Sequence, residues 1–264
     1  LAEHGGVIDP TVAVLMAAAF GAGAIDAVVG GGGLVQLPAL LSVLPGVAPA
    51  TLLGTSKLAG FSGTASAAIH YLRSVRLPTR ILATGIAIAF VSALAGAVTV
   101  THLRATAFRP LVPFLLVGVL VWTLKNKRLG EVHAPRHHSV GGHCLSALAI
   151  AGIGFYDGFF GPGTGSFLMM LAVRRFGFDF VHAAAAARVI NVATNLAALG
   201  WFIAGGHILW HTGLAMAVAN VVGAQVGTRL ALQRGARFVR TALIVVVSAL
   251  ILKTGWDALQ LLAH

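Results

Sequence analysis

Charge is scarce in this sequence. Lys, Arg, Asp and Glu together make up 9% of its 264 residues, where a soluble domain carries about 25%. Acidic residues are the scarcest, at 7 against 18 basic ones. So little charge does not fit a water-exposed globular surface. Cysteine occurs once, as Cys144, which excludes an internal disulfide and a cysteine-based metal cluster. Segments of about 10 residues that alternate polar and apolar, the mark of a membrane β-barrel, are also missing. No basic stretch precedes the first apolar run, which begins at Val12, so no cleavable signal peptide is expected.

What fills the chain instead is apolar sequence, 58% of it hydrophobic. Many runs approach the roughly 20 residues that cross a bilayer. The expected fold class is an all-α membrane protein. Helices are predicted over about 11–29, 34–44, 50–72, 79–101 and 106–124, then 143–160, 165–174, 180–204, 208–231 and 236–262. Two are short, and each follows a glycine-rich stretch, Gly30–Gly33 or Gly161–Gly165. A net charge of +11 could suggest nucleic acid, but a basic bias on the cytoplasmic face of a membrane explains it better, and no nucleic-acid partner is expected.

The basic residues select a topology. If each short segment forms a hairpin with the helix before it and the N-terminus lies outside, 13 basic residues fall inside, Arg73, Arg76 and the 229–240 cluster among them. Only Arg104, Arg109 and Lys253 then lie outside. If each short segment is a dip after a full span, the count is 8 to 8. The first arrangement is expected, with both termini outside, in the cytoplasmic (inner) membrane of a bacterium.

A shift of 131 residues superposes the halves. Gly21, Gly23, Asp26, Gly30 and Gly32 fall on Gly152, Gly154, Asp157, Gly161 and Gly163, and Lys57 falls on Arg188 without a gap. Intramembrane charge is rare, so the Asp–Asp and Lys–Arg matches weigh more than the glycines. The organisation read from this is a first repeat over 1–125, a basic cytoplasmic linker over 126–142 and a second repeat over 143–264. Duplication in opposite orientation, with broken helices at matching positions, is the plan of many secondary transporters.

These residues also resemble a known family. GAGAIDAVVGGGGLVQLPALL and ATLLGTSKLAGFSGTASAAIHY are similar to the first half of the TauE/SafE family of presumed sulfite and organosulfonate exporters. GIGFYDGFFGPGTGSFLMML and AAAARVINVATNLAAL are similar to its second half. The resemblance covers most of the chain. It implies transport of a small, often sulfur-containing anion by two inverted repeats, most often with lysine at both basic positions, where this chain has Arg188 in the second.

The site expected from these residues centres on Lys57 and Arg188. Lys57 sits about 10 Å along its helix from the outer end, and Arg188 about 12 Å from the inner end of its own. A buried cation there costs roughly 2.5–3.5 kcal/mol, so it needs a carboxylate, backbone carbonyls or a substrate anion. Helix N-termini after the glycine loops offer free N–H groups to an oxyanion. That brings Gly31, Gly32, Gly33, Gly163, Thr164 and Gly165 into the candidate set. Ser56, Asn191 and Asn195 lie beside the two cations and join it. Asp26 and Asp157 are candidates for coupling or gating. Each either accepts hydrogen bonds from the broken backbone or carries a proton. A small anion is the expected partner, with protons or sodium as coupling ion, a homodimer as one arrangement, and no cofactor.

Other readings are weaker. The histidines His133, His137, His138 and His143 lie close together in the basic linker region, but only Glu131 and Cys144 accompany them as further ligands, which argues against a metal site. Gly60-Phe61-Ser62-Gly63 matches the G-x-S-G of rhomboid proteases, with His182, His207 or His211 as the base, but Ser62 has only Ala193 as its repeat counterpart. Tyr71, Trp122, Trp201, Trp210 and Trp256 near helix ends fit an interfacial belt. A passive anion channel is the main alternative function, an intramembrane serine hydrolase a remote one.

Overall fold

The computed structural model describes residues 9–103 and 140–262, which form helices and no strand. The first four are α1 (Pro10–Val29), α2 (Gly33–Val43), α3 (Pro49–Ser74) and α4 (Thr79–Thr101). The other four are α5 (Val140–Phe159), α6 (Thr164–Phe176), α7 (Phe180–Ala204) and α8 (Trp210–Leu262). The predicted helix 106–124, His133, His137, His138, Trp122 and most of the linker lie outside the described residues.

Local chemistry sets the boundaries. Asp9 caps α1 by accepting from the Thr11 N–H at 2.9 Å, with proline at the first helical position. Pro49 opens α3 the same way. Asp179 caps α7 through the N–H groups of Val181 and His182, both at 2.8 Å. The sequence predicts two helices, 208–231 and 236–262, with a break between them. The break is there: within Trp210–Leu262 two helices meet at a kink at Gly235, whose φ of 69° and ψ of −167° are not helical. No proline lies there, so a single glycine absorbs the bend.

Among the described residues, four helices are long and apolar enough to cross a bilayer: α1, Leu82–Thr101 of α4, α7 and Trp210–Gly235 of α8. The 11 residues of α2 reach about 16 Å, roughly half the hydrocarbon thickness. Large apolar side chains face outward, with Val91 67% and Leu148 72% exposed. In water such faces would be a liability; in lipid they are solvated.

The helices interlock across the chain. α1 packs on α8 and α5 on α4, while α3 and α7 meet at the centre. Small residues permit the closest approaches. A methyl group on Gly227 would overlap the Ala24 carbonyl oxygen, and one on Gly96 would overlap that of Phe155. Adding 131 to 96 and 24 gives 227 and 155, so each contact is the other with the halves exchanged. The helix starts agree: Gly33, Pro49 and Thr79 lie 131 residues before Thr164, Phe180 and Trp210.

Candidate functional site

Two glycine-broken hairpins, α1–α2 and α5–α6, touch at their tips. Gly30 ends α1 in the left-handed region at φ 83°, where a side chain is strained. Its backbone lies directly against that of Gly165, and Gly33 abuts Pro162. The Ser166 hydroxyl donates to the Val29 carbonyl at 2.7 Å, joining the hairpins. A tyrosine steadies each one. Tyr71 donates to the Ala27 carbonyl at 2.9 Å and Tyr156 to that of Pro162 at 2.7 Å. Tyr71, placed by sequence in an interfacial belt, is fully buried instead.

Beside the tips lies an open cavity of about 510 Å³, including the solvent at its mouth. Of the sequence-predicted site residues it gathers Asp26, Gly32, Gly33, Ser56, Lys57 and Asp157, with Asn191 and Asn195 from α7. Gly31, Gly163, Thr164, Gly165 and Arg188 are not among its lining. Gln36, Thr64 and Asn220, which the sequence set omitted, do line it. Asn220 carries a legible signal, an amide alone in the apolar run LAMAVANVVG, where an unpaired polar group is costly.

The charges cross between the halves. The Lys57 ammonium lies 2.9 Å from one carboxylate oxygen of Asp157. Both are buried, and the second Asp157 oxygen has no hydrogen-bond partner. Arg188 donates one nitrogen to the backbone carbonyl of Asp26. It is 0% exposed, and its Nε and Nη1 atoms have no partner. Asp26 accepts from the Gly32 N–H at 3.4 Å, a long bond, and from the Thr64 hydroxyl at 3.2 Å. It therefore bonds to the broken backbone, whereas Asp157 bonds to a cation.

Amides line the rest of the cavity. Asn220 donates to the Gln36 side-chain oxygen at 2.8 Å, and the Gln36 amide donates to the Ser56 backbone carbonyl and hydroxyl at 2.8 and 2.9 Å. The Ser56 hydroxyl accepts that bond, so its own proton is free to donate into the cavity. Asn191 accepts from Asn195 and Thr194, both at 3.1 Å, through its side-chain oxygen, which leaves its own N–H groups as donors. The wall thus offers an ammonium, a hydroxyl, an amide and the start of α2.

Among the described residues Ser62 makes no hydrogen bond to a histidine. Its hydroxyl donates to the Leu58 carbonyl at 3.0 Å, and the His182 ring lies 2.7 Å from Asp179. No group of three His, Cys, Asp or Glu side chains suited to a metal ion occurs among the described residues.

Comparison with known proteins finds membrane transporters. A family model described as "Sulfite exporter TauE/SafE" matches residues 15–254. The chain is 35% identical over 245 residues to the probable membrane transporter protein YfcA of Escherichia coli strain K12, covering 93% of this chain and 90% of that one. It is 33% identical over 247 residues to a probable membrane transporter protein of Haemophilus influenzae, covering 93% and 95%. A probable membrane transporter protein of a Sinorhizobium species is 35% identical over 248 residues, covering 92% and 91%. No solved structure matches the chain.

Proposed function

We propose that this chain, which belongs to the sulfite exporter TauE/SafE family of membrane transporters, is a secondary exporter of sulfite, a sulfonate or a related sulfur-containing anion. One observation carries the anionic substrate. A buried ammonium, Lys57, faces an open cavity, and its only ionic partner among the described residues is one oxygen of Asp157. Ser56, Asn191 and the backbone at Gly33 line the same cavity and supply further donors. An oxyanion bound there replaces Asp157 as the counter-charge of Lys57.

The mechanism is alternating access by two inverted repeats that rock about the hairpin tips. The contacts that exchange under the 131-residue shift support a two-fold relation between the halves. The tips meet near mid-membrane, because α2 is too short to cross. Both termini face outside the inner membrane. Asp157 releases Lys57 as the anion arrives, and a proton or sodium ion balances the charge. Asp26 holds the first tip in shape.

Proteoliposomes test this. Lys57→Ala should weaken uptake of sulfite or sulfoacetate by about 10–100-fold, the cost of a charge-assisted hydrogen bond. Unchanged flux and affinity would overturn the assignment. Uphill flux driven by an imposed proton or sodium gradient excludes a passive channel.

A further inference from the structure

Arg188 presents a problem that the open cavity does not solve. Its guanidinium is fully buried, two of its nitrogens are unpartnered, and it does not line the cavity. Removing such a cation from water is unfavourable unless it is paired. The surrounding wall is sealed by the contact of Gly30 with Gly165 and by the bond from Ser166 to Val29.

Its repeat counterpart is in the opposite situation. Gly161, the counterpart of Gly30, faces the open cavity. Lys57, the counterpart of Arg188, stands on that open side. One cation is therefore exposed to a cavity and the other is closed off by the same kind of hairpin tip.

We propose that Arg188 is the cation of a second oxyanion site, closed in this structure, that opens as the Lys57 cavity closes. This rests on the alternating-access reading above. Exchange of the halves names its wall. Gly33 becomes Thr164, Gly60 becomes Asn191 and Thr64 becomes Asn195. Asn191, Asn195, Thr64 and the two aspartates belong to both walls. The anion stays at the shared amides and hydroxyl while its counter-charge changes from ammonium to guanidinium.

The two sites are not equivalent. Ser56, Gln36 and Asn220 in the open cavity correspond to Ala187, Phe167 and Ala89. Three polar side chains are thus replaced by apolar ones. What the second site gains is the planar fork of arginine, which grips two oxygens at once. It takes an anionic group with at least two terminal oxygens, as sulfonate and sulfite have.

Cysteine accessibility tests the proposal. In a Cys144→Ser background, Ser56→Cys and Ala187→Cys are exposed to a membrane-impermeant maleimide, applied to one face of oriented vesicles at a time. Thr164→Cys repeats the test if Ala187→Cys does not reach the membrane. Ser56→Cys should label from one face and Ala187→Cys from the opposite one, with sulfoacetate slowing both. Labelling of both from the same face overturns the second site. So does failure of both Ala187→Cys and Thr164→Cys to label while sulfoacetate counterflow persists, and alternating access then still stands. Absence of counterflow in the unmodified protein would instead refute the transporter mechanism itself. Arg188→Ala should lower sulfoacetate affinity at the Ala187 face by about 10–100-fold; an equal loss at both faces overturns the assignment.

Discussion

Asp157→Asn separates the two roles of the ion pair. The substitution keeps the shape of the side chain and removes its charge. Lys57 then remains 6% exposed with no carboxylate beside it. Breaking a buried pair on one side costs about 3–5 kcal/mol. The cavity lets water reach the ammonium, so the lower end, about 3 kcal/mol, is expected. At the observed 2.9 Å separation, and an effective dielectric of about 20, the lost attraction is about 6 kcal/mol before desolvation is subtracted. An anion in the cavity competes with that attraction in the native protein and not in the variant. Asp157→Asn should therefore melt earlier in detergent yet bind sulfite or sulfoacetate at least about 10-fold more tightly. The melting shift caused by the anion should grow accordingly. Isothermal titration and thermal melts measure both. A variant that melts earlier and also binds more weakly would refute the competition, because Asp157 would then be helping the anion rather than excluding it.

Three further outcomes follow from the packing. Gly30→Ala places a methyl group on the Gly165 backbone and forces a side chain into a left-handed conformation, so transport should be lost and folded yield should fall, as read by flux and size-exclusion chromatography. Gly227→Leu and Gly96→Leu should impair folding to similar degrees, because each blocks the exchanged form of the same helix contact; a large difference in their detergent stability would count against the two-fold relation. Asp179→Ala removes two capping bonds at α7 and should cost about 1 kcal/mol, measured by thermal melting, with anion affinity retained.

Much of the architecture was legible in the sequence. Helix ends at α1, α4 and α7 follow from proline, capping aspartate and glycine, all local signals. The 131-residue match of Asp26 with Asp157 and of Lys57 with Arg188 pointed to charges that the structure brings to the hairpin tips. What the sequence could not separate was the two cations. They occupy matching positions under the 131-residue shift, so a rule based on charge and spacing treats them alike. Only packing distinguishes them, since one tip is closed on Gly165 while the other leaves Lys57 open. The Gln36–Asn220 bond joins residues 184 apart, and no local pattern announces such a partner.

The cross-pairing bears directly on motion. Lys57 in the first half is held by Asp157 in the second, and Arg188 in the second by the carbonyl of Asp26 in the first. Neither contact lies within one half, so any rocking of the halves strains both at once. Strain shared in this way favours two discrete arrangements over a continuum, because a half-broken ion pair leaves a buried charge without compensation. An anion shifts such an equilibrium only through its different affinity for the two arrangements. Lys57 and Arg188 are chemically unlike, and so are Ser56 and Ala187 on the walls beside them. In the proposed mechanism that inequality makes the affinity of the two sides differ, so the direction in which the protein works best is written in the positions where its two halves have diverged.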